Sequence, residues 1–196
     1  EEYKDFIFNS NIAKIASELM NSKKVNLFHE HILIKEPGAT KRTPWHQDQP
    51  YYCIDGKDNC SLWIPLDKIF KEVCPEYIKF SHTWKKQFLP TKFFGNSYEK
   101  KDENLEMIPD ISSNRSDYDI VSWELNPGDL IAFNFSVIHG APGNNSLNRR
   151  RAFSVRFIGD DATFAKRKGE VSPPFPEVKL KHGDKINSPS FPEIMI

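Results

Sequence analysis

Cysteine is scarce in this chain, and Cys53, Cys60 and Cys74 stand in neither a CxxC spacing nor a dense framework. An odd, sparse set argues against a complete disulfide scaffold and for a reducing compartment, so a cytoplasmic location is expected. Net charge is missing as well, since 27 Lys and Arg balance 27 Asp and Glu. No overall basic field is left to hold a phosphate backbone or an anionic membrane, so neither nucleic acid nor membrane is an expected partner. No apolar run approaches the roughly 20 residues that cross a bilayer. The opening Glu1-Glu2-Tyr3-Lys4-Asp5 lacks the order of charge and then apolar block that marks a signal peptide. Also absent are an internal repeat, a GxGxxG after a strand, a phosphate-cradling loop and a Gly-x-Ser-x-Gly elbow.

What the chain does have is aromatic side chains: 15 Phe, 6 Tyr and 4 Trp, the composition of a packed β-rich core or an aromatic-lined pocket. Its 196 residues suit a single domain over 1–196 with a real core. The first residue is Glu1 rather than Met, so the reading allows for residues upstream. Asn9 to Lys24 places Ile12, Ile15, Ala16 and Leu19 at helical spacing behind candidate N-caps Asn9, Ser10 and Asn11, which predicts one helix. Val25 to Lys35 is β-branched and apolar and stops at Pro37-Gly38, the signature of a strand. Ser61 to Leu66 and Glu76 to Phe80 read as further short strands. Lys85 to Ser122, with solvated stretches at Lys100-Lys101-Asp102-Glu103 and Asn114 to Asp117, reads as a long loop that could shape a substrate pocket. Asn126-Pro127-Gly128-Asp129 turns the chain into an alternating run, Leu130 to His139. A loop at 140–145 then returns it to a strand from Arg149 to Phe157, expected to lie antiparallel beside the His139 strand. The Pro-rich end beyond Gly159 is expected to wrap on the domain. Short strands, one flanking helix and repeated turns predict an all-β core, a double-stranded β-helix of the jelly-roll, cupin-like kind.

The chemistry centres on Pro44-Trp45-His46-Gln47-Asp48-Gln49. In an extended strand the side chains of His46 and Asp48 leave the same face, so one small cation can sit between them. His139 supplies a third candidate, because the period of two puts it on the face of Ile131, Phe133, Phe135 and Val137. Two imidazoles and one carboxylate with open positions are the ligand choice of a non-haem Fe(II) oxygenase. Arg150 follows His139 by eleven residues and shares a face with Ala152, Ser154 and Arg156, of which the small Ala152 and Ser154 leave room for a ligand. A guanidinium there can clamp a carboxylate bidentately. Arg156, about 20 Å further along at roughly 3.3 Å per residue, is too far to hold the same carboxylate and is assigned to substrate or structure. Each feature alone also has an ordinary reading: HxD as a surface Asx turn, His139 as a strand-end histidine, Arg149-Arg150-Arg151 as an exposed basic strand. Gln47 is out of phase with the metal face and reads as structural. Lys35 reads equally as a cavity residue and as a solvated strand end, and Tyr51 and Tyr52 as mouth or core.

Together Lys35-Glu36-Pro37-Gly38, Pro44-Trp45-His46-Gln47-Asp48, Ser61-Leu62-Trp63, Phe80-Ser81-His82, Pro127-Gly128-Asp129, His139-Gly140 and Arg150-Arg151-Ala152-Phe153-Ser154 resemble, in order and spacing, one known family. It is the phytanoyl-CoA dioxygenase-like branch of the Fe(II)- and 2-oxoglutarate-dependent oxygenases, and the resemblance covers most of Leu27 to Asp161. It implies His46, Asp48 and His139 as catalytic iron ligands and Arg150 as partner of the 2-oxoglutarate C5 carboxylate. It also implies His31 and Trp63 near the co-substrate, and a jelly-roll enzyme using O2 to hydroxylate a small-molecule substrate with release of succinate and CO2. The retained Asp48 sets it apart from the halogenase variant, which has a small residue at that position. Family members usually carry further strand and helix before the part seen here. Two other readings stay open: a metal-binding cupin that does not use 2-oxoglutarate, and a jelly-roll binding module without catalysis. Substrate identity and oligomeric state are not legible in these residues.

Overall fold

The computed structural model describes residues 1–90 and 102–195, so Lys100 and Lys101 of the expected solvated stretch lie outside the described residues. Two helices open the chain where one was expected: α1 (Glu2–Asn9) and α2 (Ile12–Met20). The Ser10-Asn11 step separates them, since Ser10 is extended and its amide closes α1 onto the Phe6 carbonyl. Asn21, in the left-handed region at φ 53°, ends α2 by donating to the Glu18 carbonyl. Lys23 and Lys24 therefore lie beyond the last turn.

Among the described residues eleven strands follow, forming two main antiparallel sheets and a small pair. The large sheet has the order β11 (Glu193–Ile194), β1 (Val25–Lys35), β9 (Arg150–Ile158), β4 (Asn59–Pro65), β7 (Ile131–Phe133). The facing sheet has the order β2 (Thr43–His46), β8 (His139–Ala141), β5 (Glu76–Ile78), β6 (Ile120–Val121). β3 (Ile54–Asp55) and β10 (Thr163–Phe164) make a two-stranded ribbon at the end of the sandwich.

β9 shows how alternation builds the layers. Phe153, Val155 and Phe157 face outward and join Ile12, Ala13 and Ala16 of α2 and Ile7 of α1 in one buried cluster. Each such side chain removed from water contributes about 1.5–3 kcal/mol. Arg150, Ser154 and Arg156, in the opposite phase, face the space between the sheets. β4 is buried along its whole length because it lies between β9 and β7.

Two expectations about the second half are corrected. Leu130 to His139 is not one strand: Val137 N–H closes a turn onto the Asn134 carbonyl, and the chain crosses from β7 in the large sheet to β8 in the facing one. The alternating pattern misled because Phe135 and Ile138, both fully buried, plug the corner between the sheets rather than one face of a ribbon. For the same reason β8 and β9 are not neighbours; β8 pairs with β2 and β5, and β9 with β1 and β4. In 102–122 the expected loop is tied down by bridges such as Phe88 to Glu106 and ends in β6. The tail packs back on the domain: Phe191 is buried beside Phe28, and Ile194 pairs with Val25. Among the described residues no helix is long and apolar enough to cross a membrane.

Candidate active site

β2 ends at His46, and Asp48 does not continue it, contrary to the extended-strand expectation. Its backbone is helical (φ −73°, ψ −38°) and it heads a 3-10 turn over Gln49–Tyr51. The amides of Asp48 and Gln49 both donate to the Phe135 carbonyl, at 2.9 and 3.0 Å, and this anchors the turn on the sheet-crossing corner. Gln47 holds the same turn from behind. Its side-chain amide donates to the carbonyls of Lys86 (3.0 Å) and Ser136 (2.9 Å), as its structural reading required. His139 arrives by pairing with His46 across β2 and β8.

These placements bring His46, Asp48 and His139 together, all buried, with one donor atom from each lying within 4.8 Å of the others. Asp48 Oδ1 is 3.6 Å from His46 Nε2 and 3.8 Å from His139 Nε2. The far nitrogens are engaged, His46 Nδ1 with the Pro44 carbonyl at 2.8 Å and His139 Nδ1 with that of Val137 at 3.0 Å. A carbonyl only accepts, so each Nδ1 carries the proton and each Nε2 turns its lone pair toward the cluster. Burial and the neighbouring His46 hold His139 neutral, down to about 4. Burial alone would raise Asp48, but the Arg156 guanidinium outweighs it and keeps its carboxyl well below the usual range. Two Nε2 atoms turned inward and an ionised carboxylate are what a divalent cation requires.

The cluster lines a cavity of about 680 Å³ between the sheets. Arg150 lines it too, buried, with Nη1 donating to the Val73 carbonyl. No carboxylate forms an ion pair with Arg150 among the described residues, and burial lowers its affinity for a proton. Tyr77 is stacked on His139 with ring centroids 5.7 Å apart, and Ser154 lies on β9 between Arg150 and Arg156. The Tyr77 hydroxyl and the Ser154 hydroxyl are buried without a hydrogen-bond partner. Both are therefore able to hydrogen-bond a ligand that enters the cavity.

Trp63 also lines the cavity and pairs with Ser154, while His31 pairs with Ser154 from the other side. His31 turns toward Arg156, whose Nη1 is 3.3 Å from both ring nitrogens, and toward His29, stacked at 5.5 Å. Burial and Arg156 lower His31 to about 4. Lys35 lines the cavity, and its ammonium donates to the carbonyls of Lys41, Ala141 and Pro142. Tyr51 and Tyr52 line it as well. Sequence reasoning missed Ser61, Tyr77 and the closeness of Arg156 to Asp48 (3.7 Å). The common phase of Arg156 and Arg150 was a signal, and Ser61 stood in the Ser61-Leu62-Trp63 motif without a role; Tyr77 meets the site as the register partner of His139 across β5 and β8, a pairing that no local run of residues encodes.

The family model described as phytanoyl-CoA dioxygenase (PhyH) matches residues 1–152. The chain is 29% identical over 160 residues to a phytanoyl-CoA dioxygenase of Arabidopsis thaliana, covering 81% of this chain and 53% of that protein. It is 30% identical over 158 residues to a 2-aminoethylphosphonate dioxygenase of Uncultured bacterium HF130_AEPn_1, covering 79% and 53%. The chain thus spans about half the length of the curated relatives it matches. Among solved structures, the non-heme alpha ketoglutarate dependent carbocyclase SnoK from nogalamycin biosynthesis superposes with a TM-score of 0.73, covering 98% of this chain and 70% of that one at 21% identity. EvdO2 from Micromonospora carbonacea var. aurantiaca, complexed with 2-oxoglutarate, gives 0.61, covering 90% and 68% at 22% identity. The structural likeness agrees with the jelly-roll architecture. With the match covering His46, Asp48, His139 and Arg150, the chain belongs to the phytanoyl-CoA dioxygenase family.

Proposed function

We propose that this chain is an Fe(II)- and 2-oxoglutarate-dependent dioxygenase that hydroxylates a small-molecule substrate and releases succinate and CO2. One observation carries the reading: a single cavity holds both a two-imidazole, one-carboxylate cluster and a buried guanidinium without a carboxylate partner among the described residues. His46, Asp48 and His139 would hold iron through Nε2, Oδ1 and Nε2. Iron, when bound, supplies the O2 chemistry by which 2-oxoglutarate is oxidatively decarboxylated and one oxygen atom reaches succinate and the other the product. Arg150, cationic even when buried, would receive the far carboxylate in a bidentate pair. The hydroxyls of Tyr77 and Ser154 would gain partners from the same co-substrate, and Trp63 would exclude water from its flank. His31 would contact the ligands on the β1 side.

The relatives' names pair an acyl thioester with a small phosphonate, so the substrate is placed no more finely than a small molecule. A reducing, cytoplasmic setting goes with this reading, supported by three free buried thiols, with Cys53 and Cys60 pushed by burial up to about 11 and about 12.

The test is an anaerobic titration of the apo-protein with Fe(II) and then 2-oxoglutarate, following the visible metal-to-ligand charge-transfer band. Wild type develops the band and His139→Ala loses it. Arg150→Ala, deprived of a charged hydrogen bond worth about 1.5–3 kcal/mol, needs roughly 10- to 100-fold more 2-oxoglutarate. Iron binding without the band would favour the cupin that does not use 2-oxoglutarate. A folded protein that takes up no metal would make the cluster structural.

A further inference from the structure

The two oxygens of Asp48 have different surroundings. Oδ1 faces the imidazoles, while Oδ2 accepts from the Ser61 hydroxyl at 3.3 Å and lies 3.7 Å from Arg156 Nη2. Arg156 is itself held. Its Nε donates to the Tyr52 hydroxyl at 3.0 Å and its Nη1 to the Ser154 carbonyl at 3.4 Å. Tyr52 is wedged in turn between Phe28 and Phe135, with ring centroids at 4.9 and 5.1 Å. Arg156, Ser61 and Tyr52 are all buried, so an unbroken set of contacts runs from the aromatic core to the outer oxygen of the carboxylate.

We propose that Arg156, with Ser61, is a positioning residue that keeps Asp48 a one-oxygen ligand. This rests on the oxygenase reading and adds a role for residues that touch neither iron nor co-substrate in it. A carboxylate can give a metal one oxygen or two. If Oδ2 were released it could swing to the metal and fill a position that a bidentate 2-oxo acid needs. A guanidinium suits this holding role because its planar fork is fixed by several partners at once and its charge persists when buried. The same cation offsets the buried Asp48 charge before any metal arrives, so the cluster is preformed.

The experiment compares wild type with Arg156→Met, Arg156→Lys and Ser61→Ala. Each protein is loaded with Co(II) alone to record its ligand-field absorption, and with Fe(II) and 2-oxoglutarate anaerobically to measure co-substrate affinity. In Arg156→Met the Co(II) spectrum changes shape and 2-oxoglutarate affinity falls at least tenfold, although Arg150 is intact. Arg156→Lys recovers most of both. Ser61→Ala moves them the same way by two- to fivefold, and it serves as the deciding variant if Arg156→Met does not fold. Spectra and 2-oxoglutarate affinities within twofold of wild type in the folded variants would overturn the positioning role while leaving the oxygenase reading intact. A wild type without any metal-dependent absorption would overturn both.

Discussion

Tyr77 carries a hydroxyl that is buried without a partner, stacked on one imidazole of the cluster. Such a group costs about 1–3 kcal/mol in the folded state, and burial raises its ionisation well above the ordinary tyrosine range, so it stays a neutral donor. Tyr77→Phe is therefore expected to raise the melting temperature of the metal-free protein while weakening 2-oxoglutarate binding several-fold. Calorimetry and the charge-transfer titration on the same preparation measure the two opposed effects; a fall in both would make the hydroxyl structural. Arg150 and Arg156 show the residue-scale limit of sequence reading. Their shared phase was visible, but that Arg156 reaches Asp48 depends on a turn at Asp48 that brings the carboxylate down onto β9.

At the scale of elements, the approach of β2 to β8 sets the spacing of the two histidines. The loop leaving β8 passes so close to the segment before β2 that a Cβ on Gly143 would overlap the Ala39 carbonyl oxygen and lie 2.8 Å from that of Thr40. Both obstacles are backbone, which cannot rotate away. Gly143→Ala is expected to cost about 1–3 kcal/mol, a fall of roughly 2–12 °C in melting temperature for a chain of this size. It should also loosen iron binding, because β8 carries His139; an unchanged melting curve would count against the close approach. The helix expectation was right for α2, whose apolar spacing is regular. It missed α1, a short helix held chiefly by Ile7 and by Tyr3 and Phe6 against Phe153. Helices this short draw their stability from tertiary packing rather than from propensity.

For the whole molecule, two consequences follow from how the tail packs against β1 and how the cavity buries its histidines. Phe191 is buried against Phe28 and Phe175, far from it in sequence. Phe191→Ala is expected to cost about 3–5 kcal/mol in a single cooperative transition, whereas a separate early melting phase would show the tail to be independent. Acid should also be destabilising. His29, His31 and His139 are lowered from 6.5 to about 2, about 4 and about 4, chiefly by burial. The folded protein thus holds them neutral while the unfolded chain protonates below pH 6.5. Unfolding then takes up protons, so metal-free stability falls as pH drops from 6.5 towards 4, by up to about 1.4 kcal/mol per histidine per pH unit. Urea midpoints measured across that range check the slope; a flat profile would mean that the imidazoles are solvated.

The sequence by itself determined the β-rich class, the strands at Val25 to Lys35 and Ser61 to Leu66, and the candidates His46, Asp48, His139 and Arg150 that one cavity brings together. These rest on local properties: β-branched runs, turn pairs, the side-chain types a cation accepts and the spacing of a family pattern. Only the tertiary structure decided that Leu130 to His139 bends across two sheets, that β8 and β9 face each other rather than pair, and that Ser61, Tyr77 and Arg156 close around the cluster. The reason is physical. Period-two alternation reports which side chains are buried, and a corner buries Phe135 and Ile138 as thoroughly as a strand does. Contacts between facing sheets depend on how two layers stack, which no local run of residues encodes.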